Sequence, residues 1–256
     1  MLLVVLMASL FSTLSCKSGS QTPEQLGITV AAAADLGEAF QEMSKSFEQA
    51  TGTKVVLSLG STGLLEKQIE NGAPMDVFAA ANVSFVDDLD RKGLIVPGTK
   101  ALYARGSITL WTRSDSSIQI TKIEDLAKPE VKKFAIANPD HAPYGGAARD
   151  ALKSAGLWDS LQPKIVYGEN IRQTLQFAQT GNVDVSIVAL SLSNHTDGKW
   201  VLVPQDLYPL IDQALAVIKG TKHEDEARKF ALFINGPLGR PIMRKYGFVL
   251  PGESSN

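Results

Sequence analysis

One rhythm constrains this chain more than any other feature. From residue 27 onward, short apolar segments alternate with amphipathic stretches of roughly 10 to 15 residues, the pattern of α/β units on mostly parallel sheets. "GITVAAA", "KVVLSLG", "MDVFAAAN", "SITLWTR", "KFAIAN", "KIVYG", "DVSIVAL", "KWVLVPQ" and "QALAVIKG" read as strands. Between the first two, "DLGEAFQEMSKSFEQATG" sets Leu36, Phe40, Met43 and Phe47 on one helical face, with Gly52 where a stop belongs. "SFVDDLDRKG", "YGGAARDALKSAG" and "NIRQTLQFAQTG" read as helices finishing at glycine, and "KHEDEARKFALFING" and "LGRPIMRKYG" as closing helices. That is too many strands for one small sheet. With 256 residues, 44% of them hydrophobic, the chain has material for one large core or for two lobes.

A net charge of -2 supplies no broad basic field, so nucleic acid is not an expected partner. The opening "MLLVVLMASLFSTL" is too short to span a bilayer and has the length of an export-signal core, although no Lys or Arg precedes it. The single cysteine, Cys16, ends "TLSC", which resembles a bacterial lipoprotein cleavage box with Thr13 where Leu is usual. The expectation is a leader over residues 1–16, lipidation at Cys16 and a flexible tether over 17–26 that holds the body at the membrane. The plainer alternative is a buried or removed cysteine. One cysteine permits no internal disulfide.

Catalytic patterns are sparse. His141, His195 and His223 share no metal-ligand spacing with one another or with Cys16. There is no GxSxG elbow, and "GSTG" lacks the Lys of a phosphate-binding NTPase loop. His141 in "NPDHAPYGG" reads as a solvent-exposed or capping loop residue more readily than as a general base. Asp87, Asp88 and Asp90, beside Arg91 and Lys92, read as a solvated helix face.

What recurs is a compact polar turn delivered onto a helix start. Asp35 precedes the first helix, Ser61 and Thr62 precede "GLLEKQIENG", "PYGG" precedes "AARDALKSAG", and Glu169 and Asn170 open "IRQTLQF". Each start offers unpaired N–H groups and a partial positive charge, which together suit an anion without any basic side chain. The plain reading is that Ser61, Thr62 and Asn170 cap their own helices. Gly60 and Gly63 favour the "GSTG" corner as a site, because glycine admits close approach of the backbone to a ligand.

"ITVAAAADL", "GSTGLLEKQIENGAPMDVFAAAN", "NPDHAPYGGAARDALKSAGLWDSLQPKIVYGENIRQTL" and "MRKYGF" resemble, in order, the corresponding segments of periplasmic molybdate-binding proteins, the receptors of molybdate ABC importers. The resemblance implies an α/β, two-lobe type II periplasmic binding protein fold with a ligand cleft between the lobes. Residues 27–105 plus 203–256 would form lobe I and residues 106–202 lobe II. It also implies a monomer in the periplasm or cell envelope, not an enzyme, with no cofactor. Molybdate or tungstate would be the transported ligand and an inner-membrane permease the partner. A receptor for phosphate or sulfate, a hydrolase working in the cleft and a structural or adhesion lipoprotein are the alternatives.

By the same resemblance, the oxyanion is held by hydroxyls and main-chain N–H groups at Asp35, Ser61, Thr62, Tyr144, Ile171 and Ala189, with the metal present only as the molybdate oxyanion, at Thr62 and Ile171. Ala189 stands where some relatives have Tyr, and Ser191 is placed to compensate. Asp35 stands where relatives often have Ser. A carboxylate repels a dianion at short range. The expectation is that Asp35 turns away to cap its helix or meet a basic partner. The alternative is that it accepts a hydrogen bond from a protonated, phosphate-like ligand.

Overall fold

A computed structural model describes residues 27–253. The leader, the tether and Cys16 lie outside the described residues. The strands sort into two sheets. The first takes β1 (Gly27–Ala33), β2 (Lys54–Gly60), β3 (Val77–Ala80) and β4 (Ala101–Gly106), and later β10 (Ile211–Val217), in the order β2-β1-β3-β10-β4. The second takes β5 (Ile108–Thr112), β6 (Phe134–Ala137), β7 (Ile165–Gly168), β8 (Val185–Ala189) and β9 (Lys199–Leu202), in the order β7-β6-β8-β5-β9. The chain crosses between the sheets at Ser107 and returns between Leu202 and Ile211. This is a two-lobe α/β fold, with β10 and β5 each antiparallel to both of their neighbours.

The helices follow the strands as the rhythm predicts: α1 (Gly37–Thr51), α2 (Thr62–Glu70), α3 (Val83–Arg91), α4 (Pro143–Ser154), the short α5 (Trp158–Leu161), α6 (Ile171–Gln179), the short α7 (Leu190–Ser193), α8 (Glu224–Ile234) and α9 (Gly239–Lys245). Helix α1 buries Phe40, Met43 and Phe47 and stops at Gly52, whose φ of 76° only glycine adopts freely. Its Phe47 ring meets Phe230 of α8 at 5.1 Å and Phe40 meets the same ring at 6.0 Å. Burial of each such side chain is worth roughly 1.5–3 kcal/mol, so this seam fastens α1 and α8 to one face of the first sheet. Among the described residues, no helix is long and apolar enough to cross a membrane.

Three elements are not evident from the sequence pattern. Strand β4, "ALYARG", is an edge strand that ends in Arg105 and Gly106, and α5 and α7 are each four residues long, too short to show a period.

Parallel pairing places the site. Ala33 at the end of β1 is level with Gly60 at the end of β2, and Ala137 of β6 is level with Gly168 of β7. The segments leaving these carboxyl ends meet between the lobes, the usual location of ligand sites in open α/β sheets.

Candidate functional site between the lobes

Asp35, Ser61, Thr62, Tyr144 and Ile171 line one small cavity of about 10 Å³, together with Ala34, Gly60, Ala81 and Pro143. Ala189 is not part of this lining. It is buried at the end of β8, and the next residue, Leu190, donates its N–H to the Ser107 carbonyl. A larger cleft outside the cavity, bordered by Glu38, Leu59, Asn170 and Arg172, shares Ala34 with it.

Three helix starts supply the donors. At α6, the Asn170 side chain accepts from the N–H groups of Arg172 and Gln173, as a plain cap does, and leaves the N–H of Ile171 as that start's free donor. At α4, Pro143 brings no N–H, Gly146 bonds back to Ala142, and the N–H of Tyr144 is the first one open to a ligand. At α2, Gly63 already donates to the carbonyl of His141 in the opposite lobe. Thr62 keeps its N–H, and its Oγ1 accepts from the N–H of Ala81, so the hydroxyl proton is free to donate.

Ser61 departs from the cap reading. Its side chain makes no cap bond to α2. The hydroxyl lies 2.6 Å from the His141 carbonyl oxygen and 2.8 Å from His141 Nδ1, joining the lobes.

Asp35, 2% exposed, lines the cavity. Oδ2 accepts from Gln213 Nε2 at 2.8 Å, and the Tyr144 hydroxyl, itself 2.9 Å from that nitrogen, lies beside the same carboxyl. Gln213 is held in turn by Tyr103, whose hydroxyl donates to Oε1 at 2.8 Å. Asp35 Oδ1 is buried with no partner. Burial pushes this carboxyl up to about 6, against the lowering pull of Gln213 and Tyr144. The hydroxyls of Tyr103 and Tyr144 are pushed well above their usual range by burial and by the nearby Asp35 charge.

Residues 28–249 match the model of a protein family described as bacterial extracellular solute-binding protein. The chain is 34% identical over 244 residues to the molybdate-binding protein ModA of Rhodobacter capsulatus, covering 93% of this chain and 94% of that one. It is 35% identical over 229 residues to the ModA of Azotobacter vinelandii, covering 87% and 90%. The solved structure of the Azotobacter vinelandii periplasmic molybdate-binding protein superposes with a TM-score of 0.83 at 31% identity, over 88% of this chain and 99% of that one. The chain belongs to the bacterial extracellular solute-binding proteins.

Three expectations about this solute-binding protein's site need correction. Asp35 neither caps a helix nor meets a cation; its partners are a neutral amide and a phenol, because β10 and α4 bring Gln213 and Tyr144 against it. His141 is not a solvent-exposed loop residue but half-buried in the contact with Ser61. Ser191 is placed to compensate for nothing at Ala189, since its hydroxyl donates to the Asp35 carbonyl. Gln213 and Tyr103 escape a reading by sequence. The available signal was an amide at the head of the otherwise apolar run "QALAVI", which burial makes costly unless it is fully hydrogen-bonded.

Proposed function

We propose that this protein captures molybdate or tungstate between its lobes and presents the loaded, closed form to an ABC import permease. The observation that carries the reading is the convergence of free donors from Thr62, Tyr144 and Ile171 on one cavity that holds no cationic side chain. Neutral donors and helix starts suit a small tetrahedral dianion, and relatives named for molybdate supply the identity of that anion. The cavity has room for about one water-sized body, so a five-atom anion enters as the lobes part and is enclosed as they return. Binding the closed form better than the open one is what shifts the population.

A hydrolase reading draws on the Ser61–His141 pair, and the proton inventory speaks against it. A serine hydroxyl has one proton, and the shorter bond gives it to the His141 carbonyl, which only accepts. With the proton so placed, Ser61 Oγ accepts from Nδ1–H, and that tautomer does not take the serine proton. No catalytic step or cofactor is part of the proposal. In the same reading the protein acts as a monomer in the cell envelope, tethered through a lipidated Cys16. Mass spectrometry of the mature N-terminus tests the anchor.

Calorimetric titration with molybdate, tungstate, sulfate and phosphate tests the ligand. Molybdate and tungstate are expected to bind at least tenfold more tightly than the other two, and phosphate binding tighter than molybdate overturns the reading.

A further inference from the structure

We propose that Asp35 is a ligand-contacting residue of this site, acting as a neutral carboxylic acid whose Oδ1–H donates a hydrogen bond to the bound oxyanion. The inference rests on the oxyanion reading above and adds to it a proton that enters with the ligand.

The geometry carries it. Oδ2 is occupied by Gln213 Nε2 and the Tyr144 hydroxyl lies beside the carboxyl, while Oδ1 is buried without a partner in a residue that lines the cavity. Gln213 spends both amide hydrogens, one on Asp35 and one on Tyr144, and its oxygen on Tyr103, and the Tyr144 proton is directed at the Asp35 carboxyl, yet Oδ1 remains without a hydrogen-bond partner. A charged Oδ1 there would face a dianion across a water-excluded space, where like charges repel most strongly. A proton on Oδ1 removes that charge and converts the orphan oxygen into a fourth neutral donor beside those of Thr62, Tyr144 and Ile171. The upward shift of this carboxyl agrees with that assignment.

The surroundings offer no other route. Tyr103 on β4 and Tyr144 on α4 are the titratable groups against the carboxyl, and both are held neutral by burial. The faces presented by β10, α2 and α7 are the neutral Gln213, Thr62 and Ser191. Glu38 on α1 and Arg172 on α6 stand at the outer cleft, and neither pairs with Asp35. His141 is engaged with Ser61.

The balance is simple: the free site above the Asp35 transition holds a carboxylate, and closure on MoO₄²⁻ takes one proton from solvent onto Oδ1. Calorimetry of the unmodified protein with sodium molybdate, in buffers of different ionisation enthalpy at pH 7.5, reads this directly. The expected result is close to one proton taken up per anion, with affinity falling about tenfold per pH unit from pH 7 to 9. Asp35→Asn is expected to bind molybdate with no proton uptake and a flat profile. Tight binding with no uptake by the unmodified protein, or uptake that persists in Asp35→Asn, overturns the inference while leaving the oxyanion reading intact. Absence of molybdate binding at every pH overturns both.

Discussion

The Ser61 hydroxyl lies 2.6 Å from the carbonyl oxygen of His141, a residue 80 positions further along the chain and on the opposite lobe. The N–H of Gly63 reaches the same carbonyl at 2.9 Å. A helix start that would otherwise be capped by its own serine is thus used to hold two lobes together.

Ser61→Ala removes the first of these bonds together with the serine's contact to His141 Nδ1, and leaves the bond of Gly63. A single hydrogen bond of this kind is worth roughly 1 kcal/mol, so molybdate affinity is expected to fall about fivefold with thermal stability little changed. Titration calorimetry checks this, and an unchanged affinity shows that the contact does not favour the closed form.

Thr62 serves both fold and ligand. Thr62→Val deprives the buried N–H of Ala81 of its acceptor and the anion of a donor, whereas Thr62→Ser keeps both. The valine variant is expected to lose roughly 1–3 kcal/mol of stability and more than tenfold in affinity, with the serine variant close to the parent in both denaturation and titration.

Asp35 sets a pH dependence opposite to that of an ordinary paired aspartate. Its folded-state pKa of about 6 lies above the usual 3.8, so the folded chain holds the proton more tightly. Its contribution to stability is therefore full below about pH 4, declines as pH rises through 6 and stays reduced above that, by roughly 3 kcal/mol. Asp35→Asn is expected to unfold at higher denaturant than the parent at pH 8 and to lose that advantage at pH 4. Equal midpoints at both pH values contradict the assignment.

Much of this was legible in the sequence because it is local. The α1 face of Phe40, Met43 and Phe47 and the left-handed stop at Gly52 follow from spacing and from backbone sterics. The corners at Asp35, Ser61–Thr62, Tyr144 and Ile171 were readable as polar turns before helices, and the parallel register brings them together. What stayed hidden depends on pairs distant in sequence. Nothing near Ser61 announces His141, and nothing near Asp35 announces Gln213, 178 positions away. Strand β4 escapes the pattern because an edge strand with Leu102 exposed and Tyr103 buried, closed by Arg and Gly, blurs the apolar run.

Gly106 illustrates a constraint that only the lobe contact creates. A Cβ at this position would lie 2.0 Å from the Tyr144 hydroxyl oxygen. Gly106→Ala is expected to displace Tyr144 from the Asp35–Gln213 network and hold the lobes apart, weakening molybdate binding about tenfold or more. Small-angle scattering should then show compaction with molybdate in the parent and little in the variant.

The central claim is that the anion sits among Asp35, Thr62, Tyr144 and Ile171. Crystals grown with molybdate and measured at the molybdenum absorption edge locate the metal without assumption. The account predicts one strong anomalous peak in the interlobe cavity, within hydrogen-bonding range, through its oxygens, of the N–H groups of Tyr144 and Ile171. A peak at another surface, or none in crystals that hold the closed form, contradicts it.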